Sequence, residues 1–355
     1  MSRTTLPEST ARLAVVRALH LGDLLCAVPA LRSLRAGHPD AEITLIGLSW
    51  ARELMPLIAP YVDRFEEFPS FPGIPERALE PRKVTAFLQR AQRQPWDLAL
   101  QLHGSGSHIN EFVALLDARR CAGFRLDGDA ITAGGCFIPW PTSGTEAQRL
   151  LALPLALGCP DRGDALELFV PEAATRDARA LLATAGLDAQ PYVCVHAGAR
   201  FPSRRWPAER FAAAADVLAA SGVHVVLTGT NGEAAITRAV AEAMHAPAVD
   251  LTGRLSLATL AAVVRDAALV LCNDTGMSHV AAAVGTRSVV VASGSEVSRW
   301  APHAVERHRV LWHDRPCRPC LHEVCPTGHE CALGVGVSDV VETAQELLHS
   351  GVVHA

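Results

Sequence analysis

The chain is 355 residues long, 49% hydrophobic and 19% charged, with enough apolar material for two cores and too little charge for wholesale disorder. A formal net charge of -5 argues against a general nucleic-acid binder, whose phosphate contacts need a basic surface. No apolar stretch approaches the roughly 18 residues of a membrane span, because the run from Leu13 is broken by Arg17, His20 and Asp23. With no legible signal peptide, the expected location is cytoplasmic. Six scattered cysteines (Cys26, Cys121, Cys136, Cys159, Cys194 and Cys272) agree, reading as reduced thiols, several of them in apolar strands.

Residues 13–17 and 43–47 read as buried strands with a helix between them, and 97–102 as a further strand after the helix-like stretch 82–93. Such alternation implies a parallel sheet with helices on both faces. Pro29 falls inside the helix predicted from Leu24, so the carbonyl of Leu25 loses its donor and a kink is expected. Gly134, Gly135, Pro139, Pro141 and Gly144 mark loops, and 149–157 is an apolar helix. The alternation then resumes. Strands are predicted at 192–196, 223–228, 268–272 and 288–292, separated by helices at 207–220, 232–244, 256–266 and 278–284. The expected fold is α/β and GT-B-like, two doubly wound Rossmann-type domains facing a central cleft. Residues 1–170 form the expected acceptor-side domain and 171–335 the nucleotide-sugar donor domain. A final helix at 336–355 is left open to pack back on the first domain.

Three loops after predicted strands are rich in polar residues. The first contains Gly22, which lets backbone approach a ligand, and Asp23, placed as a base or a helix N-cap; taken alone, the cap is the readier reading. The dinucleotide pattern GxGxxG is missing from this turn, which argues against a nicotinamide cofactor. The second runs from His196 through Arg200 to Arg204, Arg205, Trp206 and Pro207. Its small residues expose amides and its arginines can bind phosphate, against a bland alternative of a solvated basic turn with Trp206 at the domain edge. The third spans Asn273, Asp274, Thr275, Gly276, Met277, Ser278 and His279. Thr275 or Ser278 can cap the following helix, whose N-terminus is a natural diphosphate site unless this is an ordinary capped turn.

In order along the chain, the stretch from Arg17 to Asp23 with Pro29 and Arg32, the run Arg204 to Pro207, Asp250 to Gly253 with Ser256, and Asn273 to His279 resemble the signatures of glycosyltransferase family 9. That family includes the lipopolysaccharide heptosyltransferases. The resemblance implies an inverting, metal-independent enzyme that moves a sugar, heptose in the best-known members, from a nucleotide-diphosphate donor such as ADP-heptose to a glycan or glycolipid acceptor such as the lipopolysaccharide core. It implies Asp23 as general base, with Gly22 in the acceptor-side loop. Arg204, standing where the family usually has lysine, would touch the donor phosphates; arginine keeps the charge and adds bidentate reach. Thr275 and Gly276 would hold the diphosphate through their amides, Asp274 the sugar, and His279 would support the loop. Thr228, Gly229 and Glu233 resemble the nucleoside-contacting turn, with Glu233 on the ribose.

Cys317, Cys320, Cys325 and Cys331 form a separate cluster. Their thiols suit zinc, but the spacing is not diagnostic and a redox-labile set is equally readable, so no metal is assigned. No nucleic-acid partner is expected, and peripheral contact with the inner membrane surface is left open. Alternatives of other kinds are a noncatalytic nucleotide-sugar binder and a nucleotide-sugar epimerase of similar fold.

Overall fold

A computed structural model describes residues 11–129, 135–302 and 304–352. It divides the chain between Leu166 and Glu167. In the first unit, strand β1 (Arg12–Val16) leads into helix α1 (Leu21–Leu25) and then helix α2 (Val28–Gly37). The single kinked helix expected here is two helices. Pro29 lies in the first turn of α2, where its missing N–H has no intrahelical acceptor to serve, so the chain restarts instead of bending.

Strands β2 (Glu42–Gly47) and β3 (Arg64–Glu67), helix α3 (Pro81–Ala91), strand β4 (Leu98–Gln101) and helix α4 (Ile109–Ala114) follow. The unit closes with β5 (Arg120–Arg125), β6 (Cys136–Pro139) and helix α5 (Glu146–Ala156). Gly134, read as a loop residue, lies outside the described residues. Every pairing is parallel, in the order β3-β2-β1-β4-β5-β6. Leu13, Ala14, Val15 and Val16 of β1 are fully buried, as an all-apolar strand covered on both faces must be. Strand order reverses between β1 and β4, so the carboxyl ends of these two strands flank the crevice where doubly wound sheets bind ligands.

The second unit opens with helix α6 (Glu172–Thr184), β7 (Tyr192–His196), helix α7 (Ala208–Ala220) and β8 (His224–Leu227). It continues through α8 (Ala234–Ala243), β9 (Ala248–Asp250), α9 (Leu257–Arg265), β10 (Leu269–Asn273) and α10 (Gly276–Ala283). Its last elements are β11 (Ser288–Val291), α11 (Val297–Trp300), β12 (His308–Leu311), α12 (Glu330–Leu333) and α13 (Val337–Val352). The sheet is again parallel, ordered β12-β11-β10-β7-β8-β9, and its reversal lies between β7 and β10.

Trp206 is not at an edge. It is 1% exposed, stacks edge-on against Phe211 at 5.1 Å, and its indole N–H donates to the carbonyl of Val335 at 3.1 Å. The last helix, α13, packs within the second unit: Val340, Ala344 and Leu347 join the same core as Trp206 and Phe211. Among the described residues no helix is long and apolar enough to cross a membrane.

Candidate functional site

In the first unit, Gly22 and Asp23 sit in α1, immediately beyond β1. Asp23 is not an N-cap. His20 holds that position, and the Asp23 carboxylate makes no hydrogen bond or ion pair with the described residues. The main chain of Asp23 is fixed instead: its carbonyl accepts from Arg17 Nε at 2.6 Å. The Arg17 guanidinium is fully buried, donates through Nη1 to the carbonyl of Leu102 and lies 3.3 Å from Glu146 Oε1, itself 2% exposed. One buried cation therefore ties together the ends of β1 and β4, helix α1 and the first turn of α5. The sequence showed Arg17 only as a motif letter, because Glu146 is 129 residues away.

His103, beyond β4, also went unread. Its Nδ1 accepts the amide of Ala18 at 3.2 Å, which places any single ring proton on Nε2. Burial, and then the positive field of Arg17, push its pKa down to about 3, so the ring is neutral at physiological pH.

The residues of the second unit that were expected to meet a donor are assembled around Asn273, at the end of β10 and fully buried. Its Oδ1 accepts from the amide of Trp206 at 2.8 Å, and its Nδ2 donates to the carbonyl of Ala197 at 2.8 Å. One side-chain amide thus ties the loop after β7, at two points, to the end of β10. The amide of Asp274 donates to the carbonyl of Val291 at 3.0 Å, while its carboxylate has no hydrogen-bond or ion-pair partner among the described residues. Thr275 caps α10, accepting from the amide of Met277 at 3.4 Å. The amides of Thr275 and Gly276 donate to no group among the described residues, and the helix dipole adds to their positive character. His279 is buried in α10, its ring edge-on to Trp300 at 6.4 Å, which suits a supporting role. Arg204 ends a single 3-10 turn (Pro202–Arg204) and donates through Nη2 to the carbonyl of Cys320 at 2.6 Å.

Thr228, Gly229 and Glu233 follow β8. The Thr228 hydroxyl is engaged by His196 Nδ1 at 3.2 Å, and its amide donates to the carbonyl of Val195 at 3.0 Å. Glu233 belongs to a capping box in which its Oε2 accepts from the amide and hydroxyl of Thr230 at 2.8 and 2.9 Å. Its Oε1 stands 3.8 Å from His196 Nε2. Burial lowers the His196 pKa against the opposing pull of Glu233. The carboxylate passes so close over Gly198 that a methyl group there would overlap it. Gly198→Ala is accordingly expected to swing Glu233 away from Thr230 and cost roughly 1–3 kcal/mol, the size of hydrogen bonds left unmade. Denaturant unfolding measures this, and unchanged stability would show that the carboxylate has an equally good second position.

The cysteine segment packs against these loops. Cys320 and Cys331 are buried, Cys325 partly so, and Cys317 exposed. Among the described residues no group of three or more His, Cys, Asp or Glu side chains is arranged to hold a metal ion. The segment's main chain clasps the arginine loop. Ser203 donates its amide to the carbonyl of Glu323 at 3.0 Å and its hydroxyl to that of His322 at 2.5 Å, and His329 Nε2 donates to the carbonyl of Ser203 at 3.0 Å. Cys320 in turn donates its amide to the carbonyl of Gly294 at 2.7 Å.

Comparison with known proteins gives a consistent result. The sequence model of Glycosyltransferase family 9 (heptosyltransferase) matches residues 148–330. Lipooligosaccharide heptosyltransferase 2 of Haemophilus influenzae is 24% identical over 305 residues, covering 82% of this chain and 85% of its own. The solved glycosyl transferase family 9 protein of Veillonella parvula superposes with a TM-score of 0.83 at 21% identity, covering 98% and 99% of the two chains. The ADP-heptose lps heptosyltransferase II of Escherichia coli superposes with a TM-score of 0.75 at 19% identity, covering 96% and 99%.

Proposed function

Because the chain belongs to glycosyltransferase family 9, the heptosyltransferase family, we propose that it transfers heptose from ADP-heptose to a lipopolysaccharide or lipooligosaccharide core in the cytoplasm. The membership makes it a glycosyltransferase and disfavours the epimerase and the noncatalytic binder. The observation that most supports the donor assignment is the set of unused donors at the start of α10: the amides of Thr275 and Gly276, on a helix N-terminus.

In the proposed reaction an acceptor hydroxyl oxygen bonds to the anomeric carbon as the bond from that carbon to the diphosphate oxygen breaks. The hydroxyl proton passes to the Asp23 carboxylate, and the electron pair leaves with the diphosphate. Charge developing there is met by Arg204, held by the carbonyl of Cys320, and by the amides of Thr275 and Gly276 at the start of α10. Asp274 receives sugar hydroxyls, and Glu233, held by Thr230, receives the ribose. His279 backs the loop.

Turnover of ADP-heptose with a lipopolysaccharide-core acceptor tests the whole reading, and a thermal-shift panel of ADP, UDP and GDP tests the base. Arg204→Ala is expected to weaken ADP binding by about 1.5–3 kcal/mol, the worth of a charged hydrogen bond. Calorimetry showing unchanged affinity would move the donor phosphates elsewhere.

A further inference from the structure

Arg318 lies in the cysteine segment between Cys317 and Cys320. Its guanidinium is anchored on carbonyls alone. Nη1 donates to Ser295 at 2.7 Å, and Nη2 to Ala292 at 2.8 Å and His313 at 3.3 Å. Nε is buried and has no partner among the described residues. Neither Arg318 nor Arg204 forms an ion pair with a carboxylate among the described residues.

The anchor points decide where this charge sits. Ala292 follows Val291, which pairs in register with Asn273 and accepts the amide of Asp274. Arg318 is therefore tied to the strand end beside the diphosphate loop. Two residues further on, Cys320 gives its carbonyl to Arg204 and its amide to Gly294. Arg318 feels burial most, then the Cys331 thiol and Asp314, then repulsion from Arg204 and attraction from Asp274. The two guanidinium groups rest on neutral carbonyls and within reach of each other's field, so each adds to the positive potential beside the loop after β10.

We propose that Arg318 is a second cation of the donor site, held behind Arg204 to attract the diphosphate of the nucleotide sugar and stabilise it as the leaving group. The inference builds on the donor reading given above. It differs from a merely structural clasp because it depends on charge and on the number of phosphates.

Calorimetry on the purified full chain with ADP and AMP as probes separates the two. Arg318→Gln is expected to weaken ADP about tenfold and AMP less, the effect of removing one charge near a multiply charged anion. Arg318→Lys should recover most of the ADP affinity, although it cannot reproduce the three carbonyl contacts. Unchanged ADP affinity in a folded Arg318→Gln protein would overturn the proposal. So would equal losses in both variants for both nucleotides, the signature of a clasp. If Arg318→Gln does not fold, Arg318→Met takes its place under the same criteria: a loss larger for ADP than for AMP supports the proposal, and unchanged ADP affinity or a loss equal for both overturns it. Arg204→Ala is the control. If it weakens ADP while Arg318→Gln does not, only this inference falls; if neither does, the donor assignment falls with it.

Discussion

Asp23→Asn is expected to lower turnover by roughly 10²–10⁴-fold, the usual contribution of a general base, while leaving folding and ADP affinity nearly unchanged. Two observations sharpen that expectation. The Asp23 carboxylate caps nothing and has no hydrogen-bond or ion-pair partner among the described residues, so its loss removes no stabilising contact. Its backbone is held by Arg17, which the substitution leaves in place. Asparagine matches aspartate in size but cannot take the acceptor proton. Steady-state rates with ADP-heptose, together with calorimetry and a thermal melt, give all three quantities. Near-normal turnover would remove Asp23 as the base.

Glu146→Ala should be the most damaging change to the stability of the first unit, costing about 3–5 kcal/mol because Arg17 is left as an uncompensated buried charge. The loss should appear as an earlier midpoint in urea unfolding. Turnover should fall as well, since the same guanidinium fixes the Asp23 carbonyl. The double variant Arg17→Met with Glu146→Leu separates the two effects. Filling the space with apolar side chains should restore much of the stability, as replacing a buried ion pair often does, without restoring the rate. A Glu146→Ala protein as stable as the parent would show that the pair contributes nothing to the fold.

The central strands were legible because burial on both faces writes a continuous apolar run, as in Tyr192–His196 and Leu269–Asn273. The edges were not. Strand β3 reads Arg-Phe-Glu-Glu and β9 only Ala-Val-Asp, since a strand flanked on one side needs neither length nor apolar residues. The site loops could be placed because they follow strands and carry polar residues on short turns. What joins them could not. Asn273 reaches Trp206 and Ala197, 67 and 76 residues away, and nothing local in the sequence marks such a partner. Arg17 and the backbone clasp on Arg204 were hidden for the same reason.

That single buried amide also limits how this enzyme can diversify. With Asn273, the last residue of β10, bonded at two points to the loop after β7, that loop and the one that Asn273 leads into behave as one cassette. Exchanging either loop alone for a relative's version would leave a side-chain amide stranded in an apolar interior, where unmet hydrogen bonds are costly. Donor preference is therefore most readily re-engineered by transplanting both loops together with the residue that couples them.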